Sequence, residues 1–195
     1  MTRMRLIAVF APILVLLSAC GINSVPAAQE EAKGRWADVQ TDLQRRADLI
    51  PNLVSTVRAA AAQERNVLRE VVEARASASR IQVTGEQLTD PQAMTRLAEA
   101  QGRLTISLQR LQEAYPELQS NANYQTLMHQ LEGSENRLSR SRERDNQAVQ
   151  DYNTLIRTFP SSIGARVIHG AEAMVPYQAD EAAQSAPRVD FGNGS

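Results

Sequence analysis

The sequence predicts an all-α fold, an elongated antiparallel bundle of long helices. Three observations carry it. Apolar residues recur at spacings of three and four along three long runs, so each run presents one greasy helix face. The residues that break helices fall mostly between those runs, with Pro51 the exception. Ala, Leu, Gln, Arg and Glu dominate, and aromatic residues make up 4%, a composition that with such a period reads as long helices rather than sheets.

The chain opens on a targeting pattern. Met1–Arg5 carries Arg3 and Arg5, Leu6 to Leu17 is almost wholly apolar, and Ser18-Ala19-Cys20-Gly21 follows. This is a secretory layout of basic start, short apolar stretch and small residues before a cut. Leu17-Ser18-Ala19-Cys20 resembles a bacterial lipobox, whose cysteine is acylated and becomes the mature N-terminus. About 12 apolar residues in a helix reach only ~18 Å, short of a ~30 Å hydrocarbon core. That disfavours an uncleaved membrane-spanning anchor. The expected layout is a cleaved signal over 1–19, lipid on Cys20, a tether over 20–34, a helical bundle over 35–172 and an extended tail over 173–195.

The first stripe is Trp36, Val39, Leu43, Ala47, Ile50, Val54, Val57, Ala61, Glu64, Leu68, Val71, Arg75 and Ala78. It keeps its phase across Pro51. That predicts one kinked helix of over forty residues, the alternative being two helices with Pro51 in the first turn of the second. Val83-Thr84-Gly85 reads as a loop, and Asp90-Pro91 as a helix start with Asp90 as cap. The second stripe is Met94, Leu97, Gln101, Leu104, Leu108, Leu111 and Tyr115. Pro116 stops or bends it, and Ser120-Asn121 offers a new cap. The third is Tyr124, Leu127, Leu131, Glu135, Leu138, Arg142, Asp145, Val149, Tyr152, Ile156 and Phe159. Pro160-Ser161 ends it, and a short helix from Ser161 through Ile168 closes at Gly170. Stripes joined by short connections satisfy one another within the chain, which disfavours a two-stranded coiled coil.

A net charge of −1 argues against a nucleic-acid partner. His129 and His169 are the only histidines and Cys20 the only cysteine, so neither a zinc site nor a disulfide is expected. The informative polar residues stand on the greasy faces: Glu64, Arg75, Glu135, Arg142 and Asp145. Buried charges need partners. In an antiparallel arrangement Glu64 would meet Arg142, or Arg75 would meet Glu135, either as bridges that fix register or as a polar groove for a partner. A second cluster is Arg45, Arg46, Asp48, Pro51 and Asn52. It reads either as a kink whose freed carbonyl an arginine caps or as a recognition surface.

The stretch Gln44-Arg45-Arg46-Ala47-Asp48-Leu49-Ile50-Pro51-Asn52-Leu53-Val54, preceded by Trp36, resembles the LemA family. So do Glu64, Glu73-Ala74-Arg75-Ala76, Glu113 to Asn121, Leu131 to Arg137, Arg142, Asn146, Tyr152-Asn153, Phe159-Pro160 and Pro187-Arg188-Val189-Asp190-Phe191. The family's pattern has Tyr-Asn at two places where this chain has Ile22-Asn23 and Asp145-Asn146. The resemblance implies a membrane-tethered, extracytoplasmic, up-and-down antiparallel bundle of four helices, with no established enzymatic activity and no cofactor. Many members have an N-terminal transmembrane helix where this chain has a lipobox-like signal. With Gly21 rather than aspartate after Cys20, resemblance to bacterial lipoproteins favours the outer membrane in a host with two.

Two functions follow as expectations. One is a non-enzymatic scaffold or adaptor of the cell envelope with a protein partner. Its candidate polar residues are Arg45, Arg46, Asp48, Pro51, Asn52, Glu64, Arg75, Glu135, Arg142, Asn146 and Asn153. The other is a module that holds an anionic lipid or small ligand at the Arg45/Arg46 kink region, where the two arginines supply charge and guanidinium forks suit phosphates.

Overall fold

A computed structural model describes residues 23–60 and 65–178. Cys20, Ala61, Glu64, the signal segment and Pro187–Phe191 lie outside the described residues. Those described form five α-helices and two 3-10 turns: α1 Ser24–Ala60, α2 Arg65–Arg80, α3 Pro91–Ala114, α4 Ala122–Arg157 and α5 Ser161–Val167, with 3-10 turns at Gly85–Thr89 and Pro116–Ser120. None of the described helices is long and apolar enough to cross a membrane.

The caps account for the boundaries. Asp90 accepts from the Gln92 amide at 2.8 Å, with Pro91 in the first turn of α3, where a missing N–H costs nothing. Asn121 accepts from the amides of Asn123 and Tyr124 at 3.0 and 3.1 Å and starts α4. Gly170 has φ +55°, and the Ala171 amide donates to Ala165 O at 2.9 Å. That is the left-handed closing turn glycine permits at a helix end.

Two expected element boundaries change. The single long first helix is two. Arg75 touches Ala47, 28 residues away, a separation of about 42 Å in one straight helix. α1 runs through Pro51 unbroken to Ala60, and α2, which begins at Arg65, lies back against it. Alanines and a phase-keeping stripe hide that reversal in the sequence. Second, α1 begins at Ser24, so residues 24–34, expected as tether, are helical and fully bury Val25 and Ala32. The start of the tail expected from residue 173 packs on the bundle: Met174 and Tyr177 are buried. Phe159 also leaves the stripe, since α4 stops at Arg157 and a residue before proline resists helical backbone.

Asp42 with Ser141 and Arg46 with Glu135 fix α1 against α4 in opposite directions. Arg110 and Glu70 tie α3 to α2. The α1–α4 and α2–α3 pairs enclose two apolar clusters. One holds Trp36, Val39, Leu97, Leu138, Val149 and Tyr152 with Met174 and Tyr177. The other holds Ile50, Leu53, Val57, Leu104, Leu111, Tyr124 and Leu131. Full burial of a large apolar side chain contributes about 1.5–3 kcal/mol, so these clusters supply the main drive for folding.

Candidate functional site: a polar layer, two backbone clamps and a groove

Between the two apolar clusters lies a polar layer. Arg46 is only 5% exposed. Its Nη1 sits 3.3 Å from Glu135 Oε2 on α4, and its Nη2 donates to Thr105 Oγ1 on α3 at 2.9 Å. Arg142 Nη2 donates to the other carboxylate oxygen, Glu135 Oε1, at 3.2 Å. The Arg142 guanidinium lies 5.8 Å from the ring centre of Tyr177, and Trp36 meets that ring edge-on, also at 5.8 Å. Burial pulls the Arg46 guanidinium below its ordinary value, and Glu135 opposes the shift. Burial pushes the Tyr177 hydroxyl up to about 12 against the pull of the two arginines. The layer joins α1, α3 and α4 to the segment after α5. Arg75 does not pair with Glu135, as one expectation had it; Arg46 and Arg142 share Glu135 instead. Arg45 and Arg46 point different ways. Arg45 faces solvent and pairs with Asp42 at 3.5 Å, while Arg46 points inward.

Arg75 makes the first backbone clamp. Proline at position 51 has no N–H for the carbonyl four residues back, which is that of Ala47. Arg75 Nε donates to Ala47 O at 2.8 Å. A side chain from the neighbouring helix thus satisfies the acceptor that Pro51 strands. An arginine cap on the freed carbonyl was one reading of the sequence. The donor comes from α2 rather than from the adjacent Arg45 or Arg46. Pro51 and Asn52 are exposed on the outer side of α1.

The second clamp holds the extended segment 171–178 against α4. Asn153 donates through Nδ2 to Met174 O at 2.8 Å and accepts from the Met174 amide at 2.9 Å. One turn on either side of Val149, Asn146 Nδ2 donates to Tyr177 O at 3.1 Å and Tyr152 OH donates to Glu172 O at 3.1 Å. On the other flank, the Val175 amide donates to Leu88 O at 2.8 Å. Segment 171–178 is therefore wedged between α4 and the turn before α3. Tyr177 and Thr105 escaped sequence reasoning. The one available cue was an aromatic residue in an otherwise polar, alanine-rich tail.

Asp145 is fully buried, and neither of its oxygens has a hydrogen-bond partner. Burial alone raises its carboxyl to about 7, so near neutral pH much of it is protonated.

An open groove of about 770 Å³ runs between α1 and the α2–α3 connection. Trp36, Leu43, Leu97 and Leu104 contribute apolar wall, while Gln44, Arg45, Asp48 and Gln82 add polar groups. The Trp36 indole and the Gln40 amide both donate to Val83 O, at 2.6 and 2.8 Å, and pin the connection to α1. No group of three or more His, Cys, Asp or Glu side chains placed to hold a metal ion occurs among the described residues.

A comparison with curated proteins finds no match. A sequence model of the LemA family matches residues 35–191, a span that takes in Trp36, both clamps, the polar layer and the groove, and the chain belongs to the LemA family.

Proposed function

We propose that the protein is a non-enzymatic scaffold or adaptor of a bacterial cell envelope, tied to a membrane by an acylated Cys20 and facing the periplasm or exterior. In this reading α1 to α4 are the four members of an up-and-down antiparallel bundle. One observation carries it. The motif on α1 divides between two jobs: Arg46 is turned inward to lock helices together, while Gln44, Arg45 and Asp48 line an open groove. A rigid frame with a partly apolar groove suits the capture of a peptide segment or helix edge from another envelope protein.

The test places a photo-crosslinking residue at Gln44 or Gln82 in the full-length protein in its native membrane, with Glu143 on α4 as the reference position. The reading expects a discrete heteromeric adduct from the groove positions, lost with Arg45→Glu, and none from Glu143. Mass spectrometry of the N-terminal peptide from the same sample expects acylated Cys20. Indistinguishable crosslinking from all three positions overturns the groove assignment. An unmodified Cys20 overturns the lipid anchor.

A further inference from the structure

Four of the five large hydrophobic side chains left open among the described residues fall within ten positions. They are Phe159 at 80% exposure, Ile163 at 59%, Val167 at 79% and Ile168 at 57%; the fifth, Val72, is on α2. All four lie at the corner formed by the end of α4 and by α5. Exposing this much grease in one place opposes solubility unless something apolar covers it.

The fold says where the corner faces. Because α1 and α4 run in opposite directions, the start of α1 is level with the end of α4. Val25 and Ala165 belong to one apolar cluster, and α1 touches α5 directly. Cys20 precedes Ser24 by four residues, which span at most about 14 Å even when fully extended. A lipid on Cys20 therefore brings the bilayer surface to this corner and not to the far end at Pro116–Ser120. The local charge has the matching sign. No carboxylate occurs between Asp151 and Glu172, whereas Arg157 and Arg166 are both exposed there. Apolar side chains flanked by arginines are the chemistry of an element lying in the headgroup region of an anionic membrane.

We infer that the α4–α5 corner is a membrane-contact surface, with Phe159, Ile163, Val167 and Ile168 seated among the acyl chains and Arg157 and Arg166 at the headgroups. The inference rests on the proposed anchoring at Cys20. The lipid holds the protein at one point, and the corner supplies a second contact that sets its orientation.

Acylation leaves Cys20 without a thiol, so a cysteine introduced at Ile163, Val167 or Ser120 is the one labelling site. The full-length acylated protein, labelled with an environment-sensitive fluorophore, is reconstituted into vesicles of phosphatidylethanolamine and phosphatidylglycerol. Nitroxide-bearing lipids are then added. The expected result is a blue-shifted emission at 163 and 167 that falls at least twofold with nitroxide lipid, with Ser120 unchanged. Emission at 163 and 167 that matches Ser120, in protein still bound to vesicles, overturns the inference while leaving the anchor intact. Blue-shifted emission that nitroxide lipids fail to quench assigns the cover to a second copy or another protein and overturns the lipid assignment. Recovery of the chain wholly in the soluble fraction overturns both anchor and inference. The mass of the N-terminal peptide tells a missing acyl group from a failed corner.

Discussion

Replacing Asp145 with asparagine should stabilise the protein, and by more at alkaline than at acidic pH. The carboxyl is fully buried, its oxygens are unpartnered, and burial raises it from 3.8 to about 7. A folded-state value above the unfolded one means that the native state holds its proton more tightly. Stability is then lost as pH rises from about 4 to about 7 and is flat above. At 1.36 kcal/mol per unit, the cost of ionising this group in the folded protein is on the order of 4 kcal/mol at pH 8 and on the order of 2 kcal/mol at pH 5. Asparagine keeps the shape and carries no charge, so the gain over the native chain should grow by about 2–3 kcal/mol across that interval. For a domain of this size that corresponds to roughly 5–10 °C in melting temperature. Urea unfolding of both proteins at pH 5, 6, 7 and 8 measures it, and taking the difference cancels the other titrating groups. Parallel stability curves for the two proteins would refute the reasoning, because they would mean Asp145 titrates alike folded and unfolded.

The polar layer makes an asymmetric prediction. Glu135→Gln leaves the Arg46 charge buried with no carboxylate beside it, whereas Arg46→Met leaves Glu135 half-exposed and still bonded to Arg142. The glutamine variant should therefore be less stable than the methionine variant by about 2 kcal/mol in urea unfolding. Asn153→Leu removes both bonds to Met174 and should cost about 2–3 kcal/mol. It should also change Trp36 fluorescence as Tyr177 leaves the indole, and open the 171–178 segment to protease.

Much of this was legible in the sequence because helix periodicity and caps are local. Asp90-Pro91, Asn121, Pro116 and Gly170 each terminate or start an element through their own backbone chemistry, and they stand where that chemistry predicts. The α1–α2 reversal was not legible. The residues around it are good helix formers, and the apolar phase continues through them, so nothing local reports the turn. The partners of the charged residues were hidden for the same reason. Placing α2 back against α1 decides that Arg75 meets Ala47 O, and the fold of the tail decides that Tyr177 enters the polar layer. Sequence position showed that Arg75, Glu135, Arg142 and Asp145 stood on greasy faces. It did not show that Asp145 would find no partner.

The LemA-type motif is spent largely on the fold, with Arg75 holding the carbonyl that Pro51 strands. A double-mutant cycle tests it most directly. Arg75→Met should cost about 1–3 kcal/mol in the native chain, the usual cost of a buried acceptor left alone. In a Pro51→Ala background, residue 51 regains an N–H for Ala47 O. The same Arg75→Met change should then cost little, giving a coupling of about 1–2 kcal/mol between positions 51 and 75. An Arg75→Met cost that is the same with proline or alanine at 51 would contradict the claim.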